Sequence, residues 1–515
     1  MNRDATLPTR WAEGSFTDAL EIIRGISFPT DAKSFASAPG LIACLRTTNV
    51  QRNVEWEDLW YVPEKYIRNP RQFVEPEDIL ISTANSLELV GKVAQISDVR
   101  TKATIGTFIM LLRPNRNLNP RFIFHQLSSA EFQEKIRATA STTTNISNVS
   151  GQKLTSLSIL IASRREQDRI VEEIEKQFTR LDAAVAALKR IQANLKRYRA
   201  AVLKAACEGH LVPTEAELAR REGRSYEPAS VLLERILAER RSRWEAAQVS
   251  KVTKSKYREP LPVSEDTLPL LPEGWAWANW EQLSPRVTVG HVGPMKDEYV
   301  ANGFPFLRSQ NVRENRFDVD GLLHIPKEFH LRLSKSVICG GDLVVVRSGS
   351  VGTTCVVPDH LGEANCADLV IIKQPTQINS WYGCYYMNSS AKRYVHAGKV
   401  GVALTHFNTK SVAELPVALP PKPEQDRIVD DAQRRLSVID EIEVQVEADL
   451  RRANSLRQAV LKRAFEGKLV PQDANDEPAN LLLDRIRASR NGSHTNAPTS
   501  ASVKRRRKEV EHVSR

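Results

Sequence analysis

The hexapeptide EQDRIV occurs twice in this chain, at Glu166–Val171 and at Glu424–Val429. Each copy opens a gapless match between Glu166–Pro213 and Glu424–Pro471, in which AVLKAACEGHLVP aligns with AVLKRAFEGKLVP at the far end. Similarity of this length at a fixed offset is the signature of an internal repeat. The repeat decides the fold, because the structure formed by one copy is expected to be formed by the other.

Two upstream matches extend the repeat. LPTRW (Leu7–Trp11) pairs with LPEGW (Leu271–Trp275), and CLRTTNVQRN (Cys44–Asn53) pairs with FLRSQNVREN (Phe306–Asn315). Their offsets are close to that of the hexapeptide. The sequence therefore predicts a tandem duplication, in which each half is a variable domain followed by a helical region.

The helical regions show a heptad-like period. After each EQDRIV, apolar residues recur in steps of three and four, which predicts a long helix with a coiled-coil seam. The predicted seam residues are Ile170, Ile174, Phe178, Leu181, Val185, Leu188, Ile191, Leu195, Tyr198 and Val202 in the first copy, and Ile428, Leu436, Ile439, Ile442, Val446, Leu450, Leu456 and Val460 in the second, with Ala432 and Ala453 in its gaps.

Each predicted helix needs a partner, because a single apolar stripe would leave large side chains in water. Gly209 and Gly467, each followed by a proline, predict where the two helices end. We expect the two helices to pair with each other as an antiparallel intramolecular coiled coil with approximate two-fold symmetry. Homodimerisation through the same stripes is the alternative.

The variable domains contain short β-branched runs such as EDILISTA (Glu77–Ala84) and GDLVVVRS (Gly341–Ser348), which predict strands. The expected fold class is α+β, with two globular domains alternating with two long helices in a pseudo-two-fold tandem duplication. The predicted boundaries are residues 1–160 for the first variable domain, 161–245 for the first helical region, 246–268 for a linker, 269–422 for the second variable domain, 423–490 for the second helical region, and 491–515 for a disordered basic tail.

The composition favours a polyanionic partner. The chain has 515 residues, a formal net charge of +11 and a pI near 9.3, and cationic side chains that neutralise phosphates release counterions. The positive excess is concentrated in residues 161–268 and in the KRRRK tail, for which a nuclear signal is the other formal interpretation. The chain shows neither a long apolar run nor the pattern of a signal peptide, so we expect a cytoplasmic protein.

The motifs of several enzyme classes are missing. The sequence contains no GxxxxGK[ST] for a nucleotide, no HExxH for zinc, and no CxxC pair among its six cysteines. It also lacks the Asn/Asp-Pro-Pro-aromatic tetrad and the FxGxG loop of an amino-methyltransferase. We therefore expect this chain to be non-catalytic and to bind no metal or cofactor itself.

The order of domains and the motifs LPEGWAW, LRSQNV, GDLVVVRSGSVG and ELPVALPPKPEQDRIV (Glu414–Val429) resemble those of the specificity subunits of type I restriction-modification systems. The first half departs from this pattern, since LIASRREQ (Leu160–Gln167) stands where the second half has LPPKPEQ. The resemblance implies that each variable domain is a target recognition domain that reads one half of a bipartite, asymmetric DNA site through the major groove. The helices would set the length of the unread spacer.

The resemblance also implies the partners of a prokaryotic, cytoplasmic phage-defence complex. Methyltransferase subunits, two of them in the expected assembly, would dock on the helices, and restriction subunits with nuclease and translocase activity would join that core. S-adenosylmethionine, ATP and Mg would be bound by these partners. Double-stranded DNA would be the ligand of the specificity chain.

Two sets of site residues are predicted. DNA contacts are predicted for Arg46, Asn49, Ser82, Asn85, Lys92, Arg308, Asn311, Arg347, Ser348, Ser350, His406 and Lys410, and subunit docking for Glu166, Gln167, Arg169, Glu424, Gln425 and Arg427. The Arg and Asn pairs shared by both domains can contact bases, or can hold phosphate and shape the fold. The Glu and Gln residues of the second set can instead be residues that favour a helix start.

Two rival functions remain open at this point. One is a structural coiled-coil scaffold without a nucleic-acid role, and the other is a single-chain modification enzyme with degenerate motifs. Selection of a split DNA motif would exclude the scaffold. Methyl transfer by the chain alone would favour the enzyme.

Overall fold

The structure is a computed structural model that describes residues 8–143, 146–249, 256–295, 297–375, 377–391 and 408–494. The predicted mixture of helices and strands is confirmed. The KRRRK tail and His406 lie outside the described residues. Within the described part of the chain, no helix has both the length and the apolar character needed to cross a membrane.

Two helices of 44 residues dominate the helical part of the chain. They begin at Arg164 and Lys422, just before the two EQDRIV segments, and neither contains an internal Gly that would interrupt it. The α-helices are α1 (Phe16–Ala19), α2 (Pro120–Ser128), α3 (Ala130–Thr139), α4 (Gly151–Thr155), α5 (Arg164–Cys207), α6 (Glu215–Glu222), α7 (Ala229–Val249), α8 (Trp280–Leu283), α9 (Lys327–Arg332), α10 (Ser380–Tyr386), α11 (Thr409–Ala413), α12 (Lys422–Phe465) and α13 (Ala479–His494).

The strands are short, as the β-branched runs predict. They are β1 (Ala12–Ser15), β2 (Leu20–Arg24), β3 (Leu41–Leu45), β4 (Trp60–Pro63), β5 (Ile79–Ser82), β6 (Ala84–Asn85), β7 (Val93–Gln95), β8 (Ala103–Ile105), β9 (Ile109–Pro114), β10 (Ser141–Thr143), β11 (Ile146–Asn148), β12 (Ser158–Ile161), β13 (Ala276–Asn279), β14 (Val287–Val289), β15 (Phe304–Leu307), β16 (Val312–Arg313), β17 (Arg316–Phe317), β18 (Leu323–Ile325), β19 (Val337–Ile338), β20 (Leu343–Val346), β21 (Thr354–Val356), β22 (Ala364–Cys366), β23 (Leu369–Ile372) and β24 (Pro416–Leu419).

The chain forms two compact units. The first unit is assembled from residues 1–188 and 448–515, and the second from residues 189–447. Each unit therefore contains one variable domain, part of α5 and part of α12.

The first unit has a four-stranded sheet in the order β2-β9-β5-β7 and a three-stranded sheet in the order β4-β3-β8. A third pair, β1 with β12, brings Ala12 opposite Ile161 at the start of α5. The core on the helical side joins the variable domain to both long helices, and Phe122 meets Phe465 of α12 with ring centroids 5.3 Å apart. A second core lies between the two sheets.

The second unit repeats this plan. Its sheets have the orders β14-β23-β20-β21 and β18-β15-β22-β19, and β13 pairs with β24 just before α12. The helical side of its core contains the fully buried Trp280 and Tyr382 together with Ile428 of α12 and Ala206 of α5. The same sequence repeat has therefore produced the same local architecture twice.

The predicted seam is only partly buried. Ile170 and Ile174 in the first unit and Ile428 and Leu436 in the second unit are buried. The expectation of a continuous buried stripe is corrected at four positions, since the exposed fractions are 41% for Ile191, 47% for Tyr198, 39% for Ile442 and 47% for Leu456. Sequence periodicity marks an apolar helix face, but one neighbouring helix covers only part of that face.

Candidate nucleic-acid interface

A buried tryptophan–glutamate hydrogen bond joins each variable domain to its long helix. Trp11 Nε1 donates to Glu166 Oε1 at 2.9 Å in the first unit, and Trp275 Nε1 donates to Glu424 Oε1 at 2.9 Å in the second. Both carboxylates are buried, and burial raises the pKa of Glu166 and of Glu424 above the ordinary glutamate value. The repeated LPxxW and EQ motifs are thus the two sides of one repeated contact.

The glutamine and aspartate of the first EQD hold the start of α2. The backbone N of Asn119, the N-cap residue of α2, donates to Gln167 Oε1 at 2.8 Å, and Asn119 Nδ2 donates to Asp168 Oδ1 at 2.7 Å. Gln167 Nε2 in turn donates to the Ala162 carbonyl at 2.9 Å. Since Gln167 is buried, these bonds fix the angle at which the variable domain leaves the helix.

The second EQD makes the same contacts in the second unit. The backbone N of Asn379, which caps α10, donates to Gln425 Oε1 at 2.8 Å, and Asn379 Nδ2 donates to Asp426 Oδ1 at 2.9 Å. Gln425 Nε2 donates to the Pro420 carbonyl at 3.0 Å. The hexapeptide is repeated because its polar residues build the same junction in both units.

The arginine of each hexapeptide pairs with a buried carboxylate beyond the end of a long helix. Arg169 Nη2 lies 2.7 Å from Asp476 Oδ2 in the first unit, and Arg427 Nη1 lies 2.6 Å from Glu215 Oε2 in the second. Arg169 lowers the pKa of Asp476 by hydrogen bonding and charge. All six predicted docking residues therefore have partners inside their own unit, and their docking of other subunits stays a prediction.

The predicted DNA-contact residues of the first unit begin with the loop that follows β3. Asn49 is buried, accepts from the Arg46 backbone N at 2.9 Å and donates to the Glu57 carbonyl at 2.9 Å. Arg46 forms an ion pair with Asp58 and lies 4.9 Å from the centre of the Trp60 ring. Asn49 thus shapes the loop, while the partly exposed Arg46 guanidinium lies at its surface.

The other predicted residues of this domain are Ser82, Asn85 and Lys92. Lys92 Nζ donates to Gln51 Oε1 at 2.5 Å, and the Ser82 backbone N donates to the Lys92 carbonyl at 2.9 Å. Ser82 is buried and its hydroxyl has no hydrogen-bond partner among the described residues. Asn85 is half-buried in β6 and pairs with Ser147 of β11. The structure therefore joins Lys92 and Ser82 to the Arg46 loop through Gln51, whereas Asn85 belongs to a separate sheet.

The second unit repeats the shared loop. Asn311 is buried, accepts from the Arg308 backbone N at 3.0 Å and donates to the carbonyls of Asp318 at 2.9 Å and Asp320 at 3.2 Å. Arg308 Nη2 donates to the Gly321 carbonyl at 2.8 Å. The Nε atoms of Arg308 and of its repeat partner in the first unit are both buried without a hydrogen-bond partner among the described residues.

The loop after β20 carries the next predicted residues. Arg347 forms an ion pair with Asp368, and Ser348 and Ser350 are exposed. The Ala367 backbone N donates to the Leu307 carbonyl at 2.8 Å, so this loop and the Arg308 loop are linked through consecutive residues.

Lys410 is placed separately from these two loops. It lies on α11, which packs against α8 and β14, and its Nζ is 3.8 Å from Glu414 Oε1. Lys410 and the rest of the predicted set remain predicted DNA contacts.

Sequence reasoning missed the ion pairs that join the two long helices within each unit. Asp182 Oδ1 lies 2.5 Å from Arg457 Nη2 in the first unit, and Arg199 pairs with Asp440 in the second, where its Nη2 is also 2.9 Å from Glu443 Oε2. The sequence did contain a signal for these ion pairs. Between the conserved ends of the repeat, at residues 172–200, the positions of Asp182 and Arg199 are the two that are identical in both copies.

Comparison with known proteins supplies the family context. No family model matches the chain. The chain is 26% identical over 506 residues to the type I restriction enzyme StySPI specificity subunit of Salmonella potsdam, covering 95% of this chain and 97% of the relative. It is 24% identical over 506 residues to the EcoKI specificity subunit of Escherichia coli strain K12, with the same coverage.

A solved chain has the same fold. It belongs to a structure described as the structural basis of complex assembly and conformational transition of the type I R-M system, and it aligns with a TM-score of 0.58 at 16% identity, covering 90% of this chain and 100% of that chain. The resemblance inferred from the sequence motifs is confirmed. In sequence over nearly its whole length, this chain is similar to the specificity subunits of type I restriction enzymes.

Proposed function

We propose that this chain is the non-catalytic DNA sequence-specificity subunit of a type I restriction-modification complex. The observation that supports it most directly is the repeated junction, in which Trp11–Glu166 and Trp275–Glu424 attach two different variable domains to the long helices in the same way. Two different variable domains that are attached to the long helices in the same way are suited to a DNA site with two different halves. The two relatives are similar to this chain in sequence over nearly their whole length.

The loops around Arg46 and Arg308 are the proposed reading elements shared by both domains. In each loop a buried asparagine fixes the backbone, and the arginine side chain is partly exposed. A partly exposed guanidinium is suited to contact phosphate or the guanine edge in the major groove. Lys92 in the first domain, and Arg347, Ser348 and Ser350 in the second, would provide contacts specific to each half-site.

In this proposal, the long helices set the distance between the two half-sites. A helix of 44 residues is about 66 Å long at 1.5 Å per residue. Within the first unit, Asp182 of α5 meets Arg457 of α12, while Arg169, nearer the start of α5, meets Asp476 beyond the end of α12. This order supports an antiparallel arrangement of the helices.

The proposed partners are methyltransferase subunits and nuclease-translocase subunits. Exposed apolar residues on the long helices, among them Ile191 and Val444, support a protein partner that covers them. S-adenosylmethionine, ATP and Mg would be bound by those subunits, which fits the missing catalytic motifs of this chain. The docking surface would then include the exposed helix faces as well as the six predicted residues around the junctions.

The test is to map methylated positions in DNA modified by the chain together with its methyltransferase partner. We expect a split motif with an unread spacer. Inserting four residues near Ala187 should change the spacer and leave both half-motifs unaltered, because that position lies on α5 away from both junctions. An altered half-motif with an unchanged spacer would contradict the proposed division of roles.

Two further outcomes would favour the rival functions. If a salt-titrated selection from randomised duplex DNA enriches no split motif, the scaffold function is favoured. If the purified chain transfers methyl groups without a partner, the single-chain enzyme is favoured. Salt titration is needed because phosphate contacts give any basic protein a non-specific affinity for DNA.

A further inference from the structure

A cationic cleft lies on the second unit, between the C-terminal part of α7 and the segment 256–258. Its cavity has a volume of about 450 Å³, in the usual range for a small-ligand site. The described lining contains four cations, Arg240, Arg243, Lys256 and Arg258, and one acidic residue, Glu281. The lining thus has a positive excess of three formal charges on a small area.

Most of these cations lack an ionic partner. Arg243 lies 3.4 Å from Glu239, whereas Arg240, Lys256 and Arg258 form no ion pair with any residue that the structure describes. Arg240 is oriented instead by a backbone group, because its Nη1 donates to the Ser284 carbonyl at 2.5 Å. A fixed guanidinium beside two exposed cations is suited to hold an anion.

Two aromatic residues form part of the wall. The rings of Trp244 and Tyr257 pack with centroids 5.2 Å apart, and both residues line the cleft. The Tyr257 hydroxyl is covered from solvent and has no hydrogen-bond partner among the described residues. A buried hydroxyl without a partner costs about 1–3 kcal/mol. A ligand oxygen that enters between the exposed Lys256 and Arg258 side chains would provide that partner.

The repeat shows that this charge is not required by the fold. In the first unit α13 aligns with α7, and Arg490, the counterpart of Arg240, donates to the Thr17 carbonyl at 3.2 Å. There the N3 residue of the neighbouring capping box is Asp18, a carboxylate paired with Arg487 at 3.1 Å. In the first unit these two arginines therefore share one internal carboxylate.

The second unit has changed the same positions. Gln282 replaces the carboxylate at the N3 position of the capping box before α8, and Leu237 stands where α13 has an arginine. Lys256 and Arg258 then add charge from outside the repeat. Glu281 stands where the first unit has Thr17, but this one carboxylate does not balance the four cations of the lining, which favours an anion from outside the chain.

The cleft lies at the opposite end of the sheet from the proposed reading loop. Val287, just after the cleft residue Pro285, and Leu343 both pair with Ile372, so the cleft is level with the start of β20. Arg347 follows the end of that four-residue strand, about 13 Å further along at roughly 3.3 Å per residue. The cleft and the Arg347 loop are therefore separated by about the length of this strand.

We propose that this cleft is a second anion site, which binds the phosphate group of a nucleotide or of nucleic-acid backbone outside the recognised half-site. Arg240 and Arg243 would contact phosphate oxygens from α7, and Lys256 and Arg258 from the opposite wall. The Tyr257 hydroxyl would donate to the same group. Since no base sequence is read, the site is independent of the proposed specificity function.

The test measures binding of phosphate probes to the full-length chain. Inorganic phosphate and AMP are titrated by calorimetry, and a 20-base-pair duplex without a split motif is titrated by fluorescence anisotropy over a range of salt. We expect K256Q/R258Q to weaken binding of the phosphate, AMP or duplex probe by about tenfold or more, because charge-assisted hydrogen bonds are lost. Y257F keeps the ring and should weaken binding of the same probe by about threefold.

The matched control is R221Q/K335Q, which removes two exposed cations of the second unit that form no ion pair among the described residues. It should change binding by less than about twofold. Binding of AMP or phosphate identifies a nucleotide site. Binding of duplex alone, with the salt slope reduced by about 1.8 in K256Q/R258Q, identifies a backbone site.

Three results would overturn the proposal. One is that no probe binds, and another is that both double variants weaken binding equally, which would mean that net charge alone is responsible. The third is that Y257F and K256Q/R258Q both bind like the unaltered chain. Far-UV circular dichroism of each variant checks that the fold is retained, and methylation mapping reports the specificity function separately.

Discussion

The Trp11–Glu166 bond gives the sharpest prediction about stability. Trp11→Phe removes the Nε1 donor that lies 2.9 Å from the buried Glu166 carboxylate. A hydrogen bond to a charged group contributes about 1.5–3 kcal/mol, and the smaller ring costs about 1 kcal/mol of packing. We therefore expect the first unit to lose about 3 kcal/mol of unfolding free energy at pH 7.

Trp60→Phe is the matched control. Trp60 lies in the same unit, and its Nε1 is buried without a hydrogen-bond partner among the described residues. The same change of ring therefore removes no hydrogen bond there, and the expected loss is about 1 kcal/mol or less. Urea titration followed by far-UV circular dichroism measures both variants. Separate transitions of the two units are fitted separately, since a chain of two units need not unfold in one step.

The loss should also depend on pH. Burial raises the pKa of Glu166, while the Trp11 bond lowers it. Because the folded state holds this proton more tightly than the unfolded state, the contribution of Glu166 to stability falls as pH rises through the window above the ordinary glutamate pKa. Removing the donor raises the pKa further, so Trp11→Phe should destabilise more at pH 7 than at pH 5. Equal losses at both pH values, or a loss equal to that of Trp60→Phe, would refute the reasoning.

Three further predictions concern the helix pair, the reading loop and the helix end. Asp182→Asn weakens the ion pairs made by one partly exposed carboxylate and should cost about 1 kcal/mol by urea titration. Asn311→Ala removes a buried side chain with three hydrogen bonds and should cost about 2–3 kcal/mol and reduce DNA binding. Gly209→Ala should cost about 2 kcal/mol more in thermal unfolding than Gly223→Ala, because both have positive φ but the new Cβ at position 209 would lie 2.5 Å from Pro272.

Matched variants test two of these results. Glu131→Gln removes an exposed i,i+4 pair within one helix and should cost less than about 0.5 kcal/mol. Asn85→Ala changes a half-buried residue of the two-residue strand β6 and should leave stability nearly unaltered. A cost for Asp182→Asn no larger than for Glu131→Gln would show that the helix pair does not depend on Asp182. Unchanged stability of Asn311→Ala would show that this side chain does not hold the loop.

The sequence contained enough information to predict the long helices and their repetition. EQDRIV lies within two residues of the observed start of each long helix, and the positive φ of Gly209 and Gly467 agrees with the predicted ends. The helix period is local, so it can be read without knowledge of tertiary contacts. The strands around Ile79 and Leu343 were also visible as short β-branched runs.

The junction and the covered part of the seam could not be predicted in the same way. Trp11 and Glu166 are 155 residues apart, and no local pattern states that one donates to the other. The repetition of both motifs at nearly one offset was the available clue. The period likewise marked Ile191 and Tyr198 as apolar helix positions, but their exposure depends on which neighbours cover them.

The first unit is built from two separate stretches of the chain, and this has a consequence for its folding during synthesis on the ribosome. Its core needs Leu461 and Phe465 from α12, and the Ala479 backbone N donates to the Arg10 carbonyl at 3.0 Å. Translation adds about 5–20 residues each second, so the opening 188 residues wait at least about 14 s for the stretch that completes them. The continuous second unit can close earlier. The domain made first is therefore the one finished last, and the nascent chain must keep its apolar surface from aggregating during that interval.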